Sequence, residues 1–248
     1  MRAKLKASSV ESSAFGSDLD AVFVDLDDTI VDYRYPCIVG LAQVRRAVPA
    51  LSRVDVGTME NDFREILRSD LPGLLDGEMT EEEERVNRLM KIIRKHGGYI
   101  SPRKAVQLDR LYMDGFWNTR SVMEGAIELL QACETNDIPV VVITNGNDEI
   151  QKTTLDKLNL KRYVRLLLTP TSSEEMKPSV GLFKRGLDFI GAKKERTVMI
   201  GDTWQQDVQG ALNTGIIPVW VNRRKIPRPE QCDVLEVNSL TKIASLFE

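Results

Sequence analysis

The chain has 248 residues, 42% of them hydrophobic and 29% charged, with a formal net charge of −3. That size and apolar content fit one large α/β domain, or a domain carrying an insertion, with a real core. The slight negative charge offers no footprint for a nucleic acid polymer or an anionic membrane, and no apolar run approaches the ~20 residues of a spanning helix. Cys37, Cys133 and Cys232 are far apart and odd in number, which argues against a disulfide framework and for a reducing, cytoplasmic setting. With a single histidine, a zinc or iron–sulfur site has almost no ligands, so any metal here is a hard cation held by oxygen.

Residues 1–18 carry scattered lysine, arginine and serine without the apolar core of a secretory signal, and read as a disordered extension. The run Ala21-Val22-Phe23-Val24 follows, short, β-branched and without alternation, as in a strand buried on both faces. It ends by delivering Asp25-Leu26-Asp27-Asp28-Thr29 to the carboxyl edge of a sheet, where open α/β folds place their ligands. If the backbone stays extended through Leu26, Asp25 and Asp27 point to one side, and two carboxylates that close need a cation or a shared proton. Taken alone, the pentapeptide also reads as a solvated acidic turn.

From about Cys37 to Asn118 the pattern is helical throughout. Apolar residues recur at Ile38, Leu41 and Val44, then at Phe63, Ile66 and Leu67, then at Val86, Leu89, Met90 and Ile93. Thr80 before Glu81 to Glu84 reads as an N-cap with acids in the first turn, and Lys95-His96-Gly97-Gly98 as the stop. His96 is then a helix-end cation and Trp117 a packing residue. A fourth helix opens at Ser101-Pro102 and runs through Phe116, so residues 36–118 form a small helical bundle inserted into a core of 19–35 and 119–248.

Beyond Glu124, strands alternate with helices. A helix from Ala126 leads to Ile138–Ile143, one around Ile150 to Leu166–Leu168, one over Val180–Ile190 to Thr197–Ile200, and one near Gln206–Asn213 to Ile216–Trp220. A short edge strand and a closing helix capped by Asn238 or Ser239 end the chain. This order means a doubly wound parallel sheet, Rossmann-like, with right-handed crossovers and an inserted α-helical domain.

The strand ends collect the chemistry. Asp25 and Asp27 follow the first strand. Thr144-Asn145-Gly146 follows the second, with a hydroxyl, an amide and backbone N–H groups at a helix start. Gly201-Asp202-Thr203 follows another, with Asp207 five residues on, and Lys177-Pro178 stands just ahead of a helix. Carboxylates, a lysine and anion-binding N–H groups together suit a phosphate held beside Mg²⁺.

On these residues the chain resembles the haloacid dehalogenase (HAD) superfamily. Asp25-x-Asp27-x-Thr29, Thr144-Asn145, Lys177-Pro178 and Gly201-Asp202-x4-Asp207 are similar to its four ordered motifs. Gln151 to Tyr163, Val208-x-Gly210-Ala211-x-Asn213-x-Gly215 and Trp220-x-Asn222 resemble the branch of pyrimidine 5′-nucleotidases and N-acylneuraminate-9-phosphatases. The resemblance implies that Asp25 is the nucleophile and that Asp27 is the general acid and base. It implies phosphate binding by Thr144, Asn145 and Lys177. It implies Mg²⁺ on Asp25, Asp202 and the Asp27 carbonyl, with Asp207 and Thr29 behind them. Glu174 stands where the family often has glycine and Glu124 where it commonly has proline; neither touches the chemistry.

The second aspartate, Asp27, separates phosphoryl chemistry from dehalogenation, which needs neither a leaving-group acid nor a cation. The expected activity is hydrolysis of a small phosphorylated metabolite, either a nucleoside monophosphate or a sugar or organic-acid phosphate. A phosphomutase and a non-catalytic phosphate-binding protein are the alternatives. Tyr33, Tyr35, Asn147 and Trp204 are candidates for selectivity. Oligomeric state is not legible in the sequence.

Overall fold

A computed structural model describes residues 19–229 and 234–246; the extension over 1–18 and Cys232 lie outside the described residues. The chain divides into two compact units. One holds the described residues up to Val31, Val122–Pro170 and those from Glu174 onward; the other holds Asp32–Ser121 with Thr171–Ser173. The junctions lie a few residues from the expected 36–118. Asp32 N–H donates to Ser121 O at 2.9 Å, which closes the helical unit at its base.

Among the described residues, the first unit is a six-stranded sheet in the order β3-β2-β1-β4-β5-β6, every neighbouring pair parallel. The strands are β1 (Ala21–Val24), β2 (Val140–Ile143), β3 (Val164–Leu168), β4 (Thr197–Gly201), β5 (Ile217–Val221) and β6 (Leu235–Val237). The continuous apolar runs make sense here because each strand feeds two cores at once. Val22 and Val24 of β1, with Val140 and Val142 of β2 and Val198 and Ile200 of β4, face one cluster. Ala21, Phe23, Val141, Ile143 and Met199 face the other.

Helices cover both faces. On the first core lie α5 (Ala126–Thr135), α6 (Asp148–Lys157) and α9 (Leu240–Ala244), through Leu129, Leu130, Leu155 and Ile243. On the second lie α7 (Val180–Ile190) and α8 (Gln209–Thr214), through Leu182, Phe183, Leu187 and Ala211. The chain builds outward from β1 to β3, then returns to the other side of β1 with β4, so the order reverses at β1 and β4. In open α/β sheets that reversal is where the crevice opens. The register Val24↔Val142 and Val24↔Ile200 brings the carboxyl ends of β1, β2 and β4 level.

The helical unit contains α1 (Arg34–Ala47), α2 (Val56–Leu75), α3 (Glu81–Lys95) and α4 (Pro102–Thr119) around Leu41, Val44, Phe63, Leu89, Ile92, Leu108, Tyr112 and Phe116. Thr80 forms a capping box on α3: its hydroxyl accepts from Glu83 N–H at 3.2 Å, and the Glu83 carboxylate accepts from Thr80 N–H at 2.8 Å. Ser101 caps α4 and Asp55 caps α2. His96 ends α3, as its position suggests, and meets Asp62 through Nε2 at 2.8 Å. Thr171–Ser173 belongs here because both the N–H and the hydroxyl of Ser173 donate to Asp76, at 2.8 and 2.7 Å.

Candidate active site

The site forms within the sheet unit, where β1, β2 and β4 end. Asp25 is the first residue past β1 and is still held by the sheet, its N–H donating to Ile200 O at 2.9 Å. The chain then turns sharply: the N–H groups of Ile30 and Val31 both donate to Leu26 O, and Asp28 takes a left-handed φ of 61°. Aspartate tolerates that conformation better than most residues. Arg223, from the loop after β5, donates to Asp28 O at 2.8 Å and to Thr29 O at 2.9 Å. The turn that carries the acids is thereby pinned from the far end of the sequence.

Lys177 sits at the centre. Its ammonium donates to Asp25 Oδ1 at 2.6 Å, to Asp207 Oδ1 at 2.7 Å and to Ile143 O at 2.8 Å. An ammonium has three protons, so each has an acceptor. Burial works against the lysine's charge, but Asp207 and Asp25 outweigh it and the pKa is raised. Asn145 braces this lysine by its main chain: the Asn145 Oδ1 accepts from Lys177 N–H at 2.8 Å, and its Nδ2 donates to Lys177 O at 3.1 Å. The Asn145 side chain is therefore committed to Lys177. Thr144 Oγ1 accepts from Gly146 N–H at 3.1 Å, which leaves the hydroxyl proton to donate elsewhere.

Asp202 follows β4. Its N–H donates to Thr29 Oγ1 at 3.1 Å, and that hydroxyl donates to Asp25 Oδ2 at 3.0 Å, so Thr29 couples the two acids. Asp207 lies in a π-turn, Trp204–Val208, and its Oδ2 accepts from Thr203 N–H at 2.9 Å. Glycine is needed at Gly201, because a Cβ there would lie 2.3 Å from the Asp207 carboxyl carbon.

Asp25, Asp202 and Asp207 each offer an oxygen within 4.8 Å of the others. Three carboxylates against one ammonium leave two negative charges, and the pKa values register the imbalance. Burial holds the Asp25 carboxyl well above the usual range, Lys177 opposing and Asp207 and Asp202 adding. Burial, with Asp207 and Asp28, pushes Asp202 up to about 7. A buried oxygen cluster short of two positive charges fits a divalent hard cation.

Asp25, Thr29, Thr144, Asn145, Lys177, Asp202 and Asp207 thus meet at one sheet edge, and Asp27 joins them through Gln151, whose Nε2 donates to Asp27 Oδ2 at 2.7 Å. The selectivity candidates have other employment. Asn147 caps α6, accepting from Glu149 and Ile150 N–H at 3.0 and 3.1 Å. Trp204 packs edge-on against Trp220 at 5.0 Å, and Tyr33 edge-on against Phe116 at 5.5 Å. Tyr35 is 56% exposed. Sequence reasoning assigned no role to Gln151 or Arg223. Gln151 lies seven residues past Thr144 on the first turns of α6; Arg223 has no local signal, since its partners are 195 and 194 residues away.

A family model of haloacid dehalogenase-like hydrolases matches residues 19–215, and the chain belongs to that family. Among relatives, Escherichia coli pyrimidine 5′-nucleotidase YjjG is 28% identical over 125 residues, covering 50% of this chain and 55% of its own. Ribulose-1,5-bisphosphate 5-phosphatase of Halopiger xanaduensis is 26% identical over 201 residues, 79% of this chain and 82% of its own. Rat N-acylneuraminate-9-phosphatase is 28% identical over 88 residues, 35% of this chain and 36% of its own. The chain thus spans about half the length of the first of these and about a third of the last. The magnesium-bound HAD-hydrolase YfnB of Bacillus subtilis shares the fold at a TM-score of 0.71 and 19% identity, over 92% of this chain and 98% of that one. No helix among the described residues is long and apolar enough to cross a membrane.

Proposed function

We propose that the chain is a Mg²⁺-dependent phosphomonoester hydrolase working through an aspartyl-phosphate on Asp25. The observation that carries this reading is the double hold on that carboxylate, Lys177 on Oδ1 and Thr29 on Oδ2, at the end of the central strand. A carboxylate so fixed is oriented for attack instead of rotating in solvent. Asp25 attacks phosphorus; as the new O–P bond forms, the ester P–O bond breaks and Asp27 gives its proton to the departing oxygen. Asp27 then takes a proton from water as that water attacks the aspartyl-phosphate, releasing inorganic phosphate and restoring Asp25. Lys177, the Thr144 hydroxyl and N–H groups near Asn145 bind the phosphoryl oxygens.

Asp25, Asp202 and the Asp27 carbonyl would hold Mg²⁺, with Asp207 behind them orienting Lys177. When bound, the cation neutralises charge developing on the phosphoryl group. The substrate is a small phosphorylated metabolite, a nucleoside monophosphate or a sugar or organic-acid phosphate. The reading draws on the phosphatase and nucleotidase activities of the relatives, and a net charge of −3 gives no support to a polymeric nucleic acid or membrane partner. Cys37 and Cys133, buried and not joined in disulfides, suit a reducing cytoplasm.

The test is phosphate release from p-nitrophenyl phosphate with Mg²⁺, with EDTA, and with Asp25→Asn, beside a panel of nucleotides and sugar phosphates. Metal-dependent turnover that falls by about 10⁴-fold or more in Asp25→Asn is expected. No release from any ester would sink the hydrolase and leave a phosphomutase or a binding protein, which a trapped aspartyl-phosphate would tell apart.

A further inference from the structure

Gln151 is 3% exposed, and its Nε2 donates to Asp27 Oδ2 at 2.7 Å across 124 residues of sequence. Its amide packs against Gly146 of the Thr144-Asn145-Gly146 turn. A Cβ at Gly146 would fall 2.0 Å from Nε2, so only glycine leaves the amide this slot. The other end of the amide, Oε1, is buried with no hydrogen-bond partner among the described residues. A buried acceptor left unpaired costs about 1–3 kcal/mol, which apolar packing at the same position would avoid. A glutamine kept there on those terms is kept for what its amide does.

We propose that Gln151 is a positioning residue for Asp27, holding its carboxyl group in one orientation through both proton transfers. The inference rests on the acid–base role given to Asp27 above. With Asp27 ionised, Nε2–H donates to Oδ2, as seen, and Oδ1 is left toward the reacting oxygens. With Asp27 protonated on Oδ1, the proton faces the departing oxygen, and Oδ2, now the carbonyl oxygen, still accepts from Nε2–H. A neutral amide N–H donates to Oδ2 in both states, whereas leucine and methionine offer no donor.

The experiment compares kcat/KM of Gln151→Met and Asp27→Asn with the unsubstituted enzyme, with Mg²⁺ present, over p-nitrophenyl, 4-chlorophenyl and phenyl phosphate. The first leaves most readily without a proton; the last depends most on the acid. Methionine keeps the shape of the side chain and removes the donor. In Gln151→Met the loss is expected to grow along the series, to about 10-fold for phenyl phosphate, a fraction of what a positioned acid contributes. Equal losses on all three esters, or none, would reduce Gln151 to packing and overturn the inference. If Asp27→Asn shows the graded loss and Gln151→Met does not, the inference alone fails; if neither does, the acid role of Asp27 fails with it.

Discussion

Both units of the molecule bury charged side chains, and they do so in different ways. In the helical unit the charges pair locally. Glu84, wholly buried, meets Arg88 one turn on at 3.1 Å, and the Arg88 guanidinium lies 3.9 Å over the Phe63 ring. Glu60 sits between Arg34 at 3.2 Å and Arg64 at 2.6 Å, and Arg85 grips Asp109 at 3.0 Å. Each of these acids has at least one base of its own, and the pairs are scattered. In the sheet unit, Asp25 and Asp207 share a single lysine with Asp202 close by, and burial, with neighbouring carboxylates adding, holds the Asp25 and Asp202 carboxyls above their usual range. Paired burial is architecture, whereas unbalanced burial stores a demand for a ligand.

Four measurements break or sharpen that contrast, beginning with the largest effect. Lys177→Met should cut turnover of p-nitrophenyl phosphate by about 10³-fold. It should also lower stability in urea by about 3–5 kcal/mol, since Asp25 and Asp207 lose their shared counter-ion. Retained turnover would show that the convergence has no catalytic meaning. Next, Arg88→Met should cost about 3–5 kcal/mol by stranding Glu84, while Glu84→Leu combined with Arg88→Met should return to within about 1–2 kcal/mol of the parent. A double variant as unstable as the single one would mean the helical pair is more than packing.

The third concerns pH. Asp202 stands at about 7 against 3.8 for an ordinary aspartate, so the folded, metal-free protein binds the extra proton more tightly than the unfolded chain. That contribution to stability is full below the unfolded value and is lost as the pH rises through about 7. Chelator-treated protein should therefore melt lower at pH 8 than at pH 6, and Asp202→Asn should flatten the difference. Mg²⁺ at about 100 times its Kd should add about 2.7 kcal/mol at pH 8. Melting that ignores both pH and Mg²⁺ would remove the charge argument for a cation. The smallest effect is Thr80→Ala, which opens the capping box and should cost about 1 kcal/mol in urea without touching turnover.

Much of this was legible in the residues, for a specific reason. A strand buried on both faces is a continuous apolar run, so the first charged residue after it marks the sheet edge. Asp25, Thr144 and Asp202 could be read that way, and the capping signals of Thr80 and Ser101 placed two helices of the inserted unit. What could not be read were contacts made by chain folding back on itself. The Gln151 amide needs the slot over Gly146, Arg223 reaches carbonyls on a turn at the other end of the sequence, and Asp62 finds His96 across two helices. The Asn145 amide turned to the lysine's main chain for the same reason. Periodicity reports which face a residue presents and is silent on which side chain comes to meet it.

Strand β1 is the middle of the sheet and precedes both of its neighbours in the sequence. Its neighbours β2 and β4 begin at Val140 and Thr197. At 5–20 residues per second, roughly 10–35 s pass between completion of β1 and the appearance of β4. During that interval Ala21-Val22-Phe23-Val24 lacks its β4 partner, and until Val140 is made both of its edges are open. The helical unit emerges within the wait, and because α1 packs most extensively on α4, it can close once Thr119 has appeared. Chain order thus gives the nascent chain one region complete before its neighbours and another obliged to wait with an apolar strand unpaired.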